Sequence, residues 1–339
     1  MGLKRLRWMW IVALTAIVQM SSPACARPQV PETVSVSFAA AGDFGMSGDS
    51  AATLGAMADA DVDFVLALGD LSYSGTGSEP GWCAYARSFF PANFPFQILV
   101  GNHEDDSGED GRIAQFADCL PDRMGAVGSY GVQYYFDYAN LARFIMVSPD
   151  LTVDGQHYYY GEDSEQFRWL ASAIDDARDS GIPWVIVGMH KNCLSMGPYY
   201  CRIFQDLLSL LVEKKVDLVL HAHEHDYQRT HQLTTGPGCE VVEVDAFNPD
   251  CVVDDGPDDL YRKGAGIIAV TVGTGGGDLY DLDLADPEAG YFARWMGANA
   301  DPRKGFVEVR VSDEELTAAF VGTTPTSDFA DGFKIVTPR

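Results

Sequence analysis

The chain has 339 residues, of which 47% are hydrophobic and 12% aromatic, so it can bury a sizeable core. This composition excludes an intrinsically disordered chain, which has too few apolar residues to offset the entropy lost on folding. The formal net charge of −26 argues against general binding to the phosphates of a nucleic acid, because such binding needs clustered Lys and Arg.

The first 26 residues have the pattern of an export signal. The basic start MGLKRLR precedes the apolar run WMWIVALTAIV, which is too short to span a bilayer comfortably. Ala24-Cys25-Ala26 matches the small-x-small cleavage pattern, so we predict a signal peptide cleaved near Ala26. The expected product is secreted, extracellular or periplasmic, without stable membrane association. A transmembrane anchor and a lipoprotein acylated at Cys25 are the alternatives.

Cleavage there removes one of the seven cysteines and leaves six. An even number of cysteines in an exported protein predicts disulfide bonds, and six cysteines allow fifteen connectivities. We expect neighbours in the sequence to pair. The expected bonds are Cys83–Cys119, Cys193–Cys201 and Cys239–Cys251.

Five apolar runs of the buried-strand type each end at polar residues that can bind metals. The runs are SVSFAAAGD, VDFVLALGD, FPFQILVGNH, WVIVGMH and VDLVLHAHEH. Their ends carry, in order, Asp43, Asp70 followed by Tyr73, Asn102 with His103, His190, and the cluster His221, His223 and His225. Because ligand sites in open α/β sheets gather outside the carboxyl ends of strands, we expect these ends to meet.

The remaining patterns predict helices and hairpins. Phe167, Leu170 and Ile174 fall on one helical face, and a second helix carries Ile203, Leu207, Leu210 and Leu211. GVQYYFDY with ARFIMVS forms one predicted hairpin, and GFVEVRVSDEELTAAFVG forms another. Alternating strands and helices together with hairpins indicate an α/β fold with mixed sheets.

Four further segments receive structural interpretations. Residues 233–265, rich in Gly, Pro and Asp, are predicted to form a long loop held by Cys239 and Cys251. VGTGGGD is predicted to be a tight turn at the sheet edge, because it lacks the spacing and the Lys of a phosphate-binding loop. Glu104-Asp105-Asp106 is expected to be a solvated acidic loop. Asp226 and Arg229 are expected to orient the histidine loop.

The side chains at the strand ends form a coherent donor set. Two carboxylates, a phenol, an amide and several imidazoles supply oxygen and nitrogen, and no thiolate is available because the cysteines are assigned to disulfides. Such a set suits iron, manganese or zinc. It has too many ligands for one ion, whereas two ions roughly 3.5–4 Å apart that share a carboxylate would use it well.

In order along the chain, GDFG, GDLSY, GNHE, the His of VGMHKN, and HEHDYQR resemble the five sequence blocks of the metallophosphoesterase (calcineurin-like) superfamily. The Tyr of GDLSY resembles their purple acid phosphatase branch. The resemblance runs from about Ser35 to Arg229 and implies a four-layer α/β/β/α sandwich of two mixed sheets flanked by helices. We accordingly expect a leader over residues 27–33, one catalytic domain over 34–325 and a C-terminal tail over 326–339.

The resemblance also implies two metal sites. Site one would take Asp43, Tyr73 and His225, site two would take Asn102, His190 and His223, and Asp70 would bridge them. A phenolate ligand favours Fe(III) in site one, and site two could hold Fe(II), Zn(II) or Mn(II). In this register Ala222 occupies the family's Gly position, and His221 has a supporting or structural role.

The implied activity is that of a phosphatase that hydrolyses small phosphomonoesters, with a metal-bound hydroxide as nucleophile. His103 would donate the proton to the leaving group, and Asn102 and His103 would contact the substrate. The sequence HKNCLSMGPYYC lacks the further histidines that purple acid phosphatases usually carry after the His190 position. Lys191, Tyr199 or Tyr200 is the expected substitute.

Two other functions stay open at this point. A phosphodiesterase or nucleotidase would use the same pair of metals. A secreted binding protein would keep metal for stability only and would turn over no substrate. None of these functions involves a nucleic acid partner, and the oligomeric state is not predicted.

Overall fold

The computed structural model describes residues 34–120 and 122–338, so the predicted signal peptide and the leader to residue 33 lie outside the described residues. Nineteen strands lie within these ranges and are numbered in chain order. The first ten are β1 (Ser35–Ala41), β2 (Phe64–Ala67), β3 (Phe96–Ile98), β4 (Val127–Ser129), β5 (Gln133–Tyr138), β6 (Ala142–Val147), β7 (Thr152–Val153), β8 (Gln156–His157), β9 (Trp184–Met189) and β10 (Leu218–His221).

The other nine strands follow β10 along the chain. They are β11 (Tyr227–Thr230), β12 (Gln232–Leu233), β13 (Val252–Asp254), β14 (Leu260–Arg262), β15 (Ala269–Val272), β16 (Phe292–Met296), β17 (Gly305–Ser312), β18 (Glu315–Gly322) and β19 (Gly332–Val336). The α-helices of the described residues are α1 (Gly48–Asp59), α2 (Glu79–Arg87), α3 (Ile113–Cys119), α4 (Glu165–Asp179) and α5 (Gln205–Glu213). None of them is long and apolar enough to cross a membrane.

The strands form two large mixed sheets, which confirms the predicted fold class. The seven-stranded sheet has the order β14-β19-β18-β17-β1-β2-β3, and the eight-stranded sheet has the order β16-β11-β15-β10-β9-β6-β5-β4. In the first sheet β1, β2 and β3 run parallel, and in the second β6, β9, β10 and β15 do so. All five strands that end at the candidate metal residues, β1, β2, β3, β9 and β10, are among these parallel strands.

The two sheets pack face to face through aromatic side chains. Phe38 of β1 and Phe64 of β2 meet the ring of Phe144 on β6 edge-on, with centroid separations of 5.2 and 5.0 Å. The indole Nε1 of Trp184 on β9 donates to the carbonyl of Ser312 at the end of β17. β9 is buried along its whole length, as expected of a parallel strand covered on both faces.

Both predicted helices are present. The α4 helix begins after Ser164, whose hydroxyl accepts the N–H of Phe167, and it buries Leu170 and Ile174. The α5 helix buries Leu207, Leu210 and Leu211, but Ile203 lies before its first residue. Burial of one apolar face therefore explains both helices.

Both predicted hairpins are confirmed, since β5 pairs antiparallel with β6 and β17 with β18. All three predicted disulfides are also present. The segment 233–265 carries its expected disulfide, but it is less irregular than predicted, because it includes β13 and β14.

The C-terminal residues belong to the folded domain and do not form the expected tail. β19 lies between β14 and β18, with Ile335 opposite Leu316. The fully buried Arg229 binds the nearby Asp331 through Nε at 2.7 Å. Arg229 therefore holds the C-terminal segment, and its expected role at the histidine loop is wrong.

Candidate metal centre

The ends of β1, β2 and the turn after β10 bring a phenol, two carboxylates and an imidazole together. The Tyr73 hydroxyl lies 3.0 Å from Oδ1 of Asp43, 3.2 Å from Oδ2 of Asp70 and 3.0 Å from Nε2 of His225. The second oxygen of Asp43 accepts the backbone N–H of His223 at 3.0 Å. Tyr73 therefore contacts three other residues that were singled out in the sequence.

The ends of β3 and β9 complete the cluster on the other side of Asp70. Nε2 of His190 lies 3.3 Å from Oδ1 of Asp70 and 3.1 Å from Oδ1 of Asn102. Ligand atoms of Asp70, His190 and His223 all lie within 4.8 Å of one another. The two oxygens of Asp70 thus face two different groups of donors.

Eight side chains form a closed ring, and Asp70 contacts several of them. Successive ring centroids lie 4.6 Å apart for His103 and Tyr73, 5.9 Å for Tyr73 and His225, 4.2 Å for His225 and Tyr280, 6.0 Å for Tyr280 and Tyr199, 4.4 Å for Tyr199 and His223, and 5.1 Å for His223 and His190. Asn102, between His190 and His103, closes the ring. His103 therefore lies across the ring from Tyr199 and Tyr280.

Local backbone geometry directs these side chains inward. Asp43, Asp70, Tyr73 and His223 all have positive φ, at 62°, 50°, 47° and 70°. Few residues other than glycine adopt this conformation, and it is least common for bulky side chains such as that of Tyr73. Such strain clusters at functional sites, where the surrounding structure holds it in place.

Backbone carbonyls set the orientation of two imidazoles. Nδ1 of His190 lies 2.8 Å from the carbonyl oxygen of Leu68, and Nδ1 of His225 lies 2.7 Å from that of Asp278. A carbonyl accepts hydrogen bonds only, so in both rings Nδ1 carries the hydrogen. Nε2, the nitrogen that remains available to a metal, faces the cluster in both rings.

The electrostatics of the cluster also favour cations. Burial, together with the carboxylates of Asp43 and Asp70, raises the pKa of Tyr73 well above its usual value. Burial lowers the pKa of His190, but Asp70, Asp43 and the carbonyl of Leu68 together raise that pKa to about 9. Burial and the neighbouring His190 lower the pKa of His223 to about 2. Buried carboxylates next to a neutral imidazole and a phenol suit positive ions placed between them.

The donor separations fit metal coordination. Two ligand atoms about 2.1 Å from one ion, at about 90° to each other, lie roughly 3 Å apart. The contacts of Tyr73 with Asp43, Asp70 and His225 span 3.0–3.2 Å, and those of His190 with Asn102 and Asp70 span 3.1–3.3 Å. The arrangement is therefore a candidate centre for two metal ions.

His221 does not join the cluster. It lines a separate apolar cavity with residues such as Cys193, Leu194 and Leu208, and its Nε2 has no hydrogen-bond partner. Burial alone lowers the pKa of His221 to about 3, so the ring is neutral. β10 ends at His221 and His223 has a φ of 70°, so the chain leaves the extended conformation and the alternation that would put these histidines on one side does not continue.

The expected solvated acidic loop is wrong for Glu104 and Asp105, and only Asp106 of the three is exposed. Glu104 is only 1% exposed, and its carboxylate accepts the backbone N–H groups of Asp70 at 3.0 Å, Leu71 at 2.6 Å and Gly101 at 3.0 Å. Asp105 is buried as well. A carboxylate beside a strand-end turn meets the unpaired N–H groups of that turn, and this explains its burial.

The expected sheet-edge turn at residues 273–277 is also wrong, because β15 is a central strand and the turn packs on the cluster. The N–H of Gly277 donates to the Asp43 carbonyl at 2.7 Å. A Cβ on Gly273 would lie 2.6 Å from Oδ2 of Asp43, and one on Gly277 would lie 2.8 Å from His225. These glycines are needed because they allow close approach to the site.

Of the three residues expected to take the place of the family's histidines, only Tyr199 reaches the cluster. Its ring stacks on His223 at an interplanar angle of 22°. Nζ of Lys191 is bound by Asp150 at 2.7 and 2.9 Å. Tyr200 is 67% exposed and stacks against a neighbouring guanidinium.

Two site residues had no signal in the sequence motifs. Tyr280 stacks on His225 at an interplanar angle of 6°, with its hydroxyl 3.5 Å from Nε2 of that ring. Burial and the hydroxyl of Tyr199 raise the pKa of Tyr280 well above its usual value. Asp110 contacts Nδ1 of His103, and the N–H of Gly75 holds its other oxygen at 2.6 Å.

Comparison with known proteins finds purple acid phosphatases among the relatives of this chain. Purple acid phosphatase 21 of Arabidopsis thaliana is 27% identical over 209 residues, which cover 59% of this chain and 46% of that protein. An uncharacterised Mycobacterium tuberculosis protein is 29% identical over 198 residues, covering 54% of this chain and 35% of that protein. The matched part thus spans less than half the length of these relatives.

A solved structure shares the fold. The purple acid phosphatase PPD1 from yellow lupin (Lupinus luteus) seeds superposes with a TM-score of 0.69 at 19% identity, covering 90% of this chain and 54% of that chain. The model of the calcineurin-like phosphoesterase family matches residues 36–227, which include all five strand ends of the cluster. Because this match covers more than half of the chain, the chain belongs to the calcineurin-like phosphoesterase family.

Proposed function

We propose that the chain is an exported phosphatase of the purple acid type that hydrolyses small phosphomonoesters at a pair of metal ions. One observation carries this proposal: the Tyr73 hydroxyl contacts Asp43, Asp70 and His225 at 3.0–3.2 Å. A phenol among carboxylates and an imidazole is a donor set for a hard trivalent ion, which favours Fe(III) at this position.

The remaining donors support the assignment of a second ion. Site one would be held by Asp43, Tyr73 and His225, site two by Asn102, His190 and His223, and Asp70 would be shared. The division follows the two oxygens of Asp70, one of which faces Tyr73 and the other His190. Site two has no phenol, so Fe(II), Zn(II) or Mn(II) suits it.

The metals would supply the nucleophile and the positive charge that this acidic chain lacks. When bound, two such ions provide a water of lowered pKa as the nucleophile and neutralise the charge of the phosphoryl oxygens. The chain contributes position: Glu104 holds the turn that carries Asp70, and the glycines of 273–277 allow the strand ends to approach each other. With a formal charge of −26, the chain has no general attraction for a phosphate anion.

His103 is the residue that would donate the proton to the leaving oxygen. Its side chain is 38% exposed, and its Nε2 lies 3.7 Å from Oδ2 of Asp70, at the edge of the cluster. Asp110 holds Nδ1, which fixes the direction of the ring. Together with Asn102, His103 is in reach of a phosphoryl group placed over Asp70.

Export is supported by the three disulfides, because such bonds persist in oxidising compartments. The predicted signal peptide over residues 1–26 is consistent with this location. The fate of those residues can be read by N-terminal sequencing of the mature protein. A chain that begins near residue 27 is the expected result.

The experiment that tests the function combines metal analysis with turnover. The full chain, secreted by its native host, is expected to contain two metals and to hydrolyse an aryl monophosphate faster than a bis-aryl phosphate. Faster hydrolysis of the diester would favour a phosphodiesterase. Protein that holds two metals and turns over neither ester would contradict the proposal and favour a binding protein.

A further inference from the structure

Two tyrosine rings form the apolar part of the rim around the candidate metal centre. Tyr199 covers one face of His223, with centroids 4.4 Å apart, and Tyr280 covers one face of His225, with centroids 4.2 Å apart. The two tyrosines meet edge to face at 6.0 Å. They form a continuous aromatic wall, which we define as Tyr199 and Tyr280.

The wall is held in place from behind. The backbone N–H of Tyr199 donates to the buried carboxylate of Glu224 at 2.8 Å, and the Cys193–Cys201 disulfide closes the loop that carries Tyr199. The backbone N–H of Tyr280 donates to the carbonyl of His225 at 2.9 Å. Both rings are therefore positioned before a ligand arrives, which preserves binding free energy that ordering would otherwise consume.

The wall borders the open side of the centre. Asp43, Asp70 and His190 are 0%, 2% and 0% exposed, whereas Tyr199 and Tyr280 keep partial exposure, as does His103 across the ring. A substrate must enter past these exposed side chains. An ester with its phosphoryl group over Asp70 and its leaving oxygen beside His103 would thus extend its leaving group across the opening of the ring towards the two phenol rings.

This arrangement separates proton donation from apolar contact with the leaving group. His103 offers a proton, while the aromatic wall offers apolar area and ring edges. Neighbouring polar groups are already engaged, because Asp150 binds Lys191 and the exposed Tyr200 stacks on Arg202. The wall is thus the part of the rim suited to an uncharged, flat group.

We propose, on the basis of the phosphatase function proposed above, that Tyr199 and Tyr280 form the leaving-group subsite and select phosphomonoesters with a flat aromatic leaving group over those with a small alkyl group. Aromatic pairs contribute a modest preference beyond the area they bury, which corresponds to roughly a twofold to tenfold difference in affinity for each ring. The preference concerns binding of the leaving group and requires no change in the hydrolytic step.

The affinity for phosphonates tests this subsite, because phosphonates bind without being hydrolysed and their affinity does not depend on leaving-group reactivity. Phenylphosphonate is expected to bind the metal-loaded protein at least about fivefold more tightly than methylphosphonate, as measured by calorimetry. Tyr199→Leu and Tyr280→Leu are expected to weaken phenylphosphonate binding and leave methylphosphonate binding nearly unchanged. Tyr280→Phe keeps the ring and is expected to keep the preference.

The matched control is Tyr200→Leu, which removes the adjacent tyrosine ring outside the cluster and is expected to leave both affinities unchanged. Metal content is measured for every variant, so that loss of a metal is not mistaken for loss of the wall. The proposal is overturned if the wild-type protein binds both phosphonates equally. It is also overturned if metal-loaded Leu variants lose affinity for both phosphonates to the same extent.

The outcome can be separated from the fate of the phosphatase proposal. Failure of that proposal would appear as a metal-loaded wild type that hydrolyses neither phenyl phosphate nor an alkyl phosphate. Failure of the subsite would appear as hydrolysis without the phenyl preference in binding. If hydrolysis occurs, kcat/KM can be compared for phenyl phosphate and an alkyl phosphate. The Leu variants should favour phenyl phosphate less than the wild type does, and the loss should appear as a higher KM for phenyl phosphate.

Discussion

Nδ1 of His103 lies 2.5 Å from Oδ2 of Asp110, while Nε2 of the same ring faces Asp70 at 3.7 Å. A carboxylate accepts hydrogen bonds, so this contact places the hydrogen on Nδ1 and directs Nε2 to the centre. Asp110 is itself fixed, because its other oxygen accepts the N–H of Gly75 and its carbonyl accepts the hydroxyl of Ser72. Asp110 is therefore a positioning residue for the proposed proton donor.

We predict that Asp110→Asn lowers kcat by roughly tenfold to a hundredfold, a part of the 10²–10⁴-fold that general acid catalysis contributes. Metal content should be unchanged, and Asp118→Asn, at an exposed site on α3, should have no effect. In a His103→Gln background the same substitution should cost nothing further, because the two residues act as a unit. Additive losses in the double variant would contradict the pairing.

Asp70→Ala is expected to lose both metals and the activity. Asp70 faces donors on both sides, with Tyr73 at 3.2 Å and His190 at 3.3 Å, so no other carboxylate can take its place. Metal analysis and turnover check this, with Asp59→Ala at the exposed end of α1 as the control. Full activity in the Asp70 variant would remove the shared-ligand assignment.

Tyr73→Phe is expected to abolish the visible colour of the iron-loaded protein, because a phenolate bound to Fe(III) is the source of that absorption. The ring that packs edge-on against His103 at 4.6 Å is kept, so the fold should not change. Tyr280→Phe serves as the control, since its hydroxyl lies 3.5 Å from His225 without contacting Asp43 or Asp70 in the described structure. An unaltered spectrum in the Tyr73 variant would assign the colour to another ligand.

Gly273→Ala is expected to destabilise the protein by about 1–3 kcal/mol, the usual cost of overpacking, and to weaken metal binding. The added methyl group would lie 2.6 Å from Oδ2 of Asp43 and would also meet the backbone carbonyl of Glu224. Gly236→Ala is a matched control, because a Cβ there has open space around it. Denaturant unfolding of both variants measures the difference, and equal stabilities would show that the loop yields easily.

His221→Leu tests the pH dependence of stability. The pKa of His221 is about 3 in the folded protein, against an ordinary value of 6.5, so between these values the unfolded chain binds a proton that the folded chain does not. Stability from this residue is therefore fully present above pH 6.5 and lost as the pH falls towards 3. Relative to wild type, the variant should be about 2 kcal/mol more stable at pH 5 than at pH 8. If the variant and the wild type differ in unfolding free energy by the same amount at pH 5 and at pH 8, His221 is charged or exposed in the folded protein.

The sequence by itself determined the local features of the protein. Apolar runs that end at Asp43, Asp70, Asn102 and His190 identify buried parallel strands, because such strands are covered on both faces and are mostly apolar until they end. Alternation identified the two hairpins, and the even cysteine count after the predicted cleavage, with neighbours paired, indicated the three disulfides. Each of these signals lies within a few neighbouring residues or follows from counting.

Only the tertiary structure decided which distant groups meet. Tyr280 reaches His225 from 55 positions further along the chain, and Arg229 binds Asp331 across 102 positions. Glu104 and Gly273 look like ordinary loop residues until the turns around Asp70 and Asp43 close on them. No local pattern encodes these contacts, because they arise from the order in which strands pair and from the space left between two packed sheets.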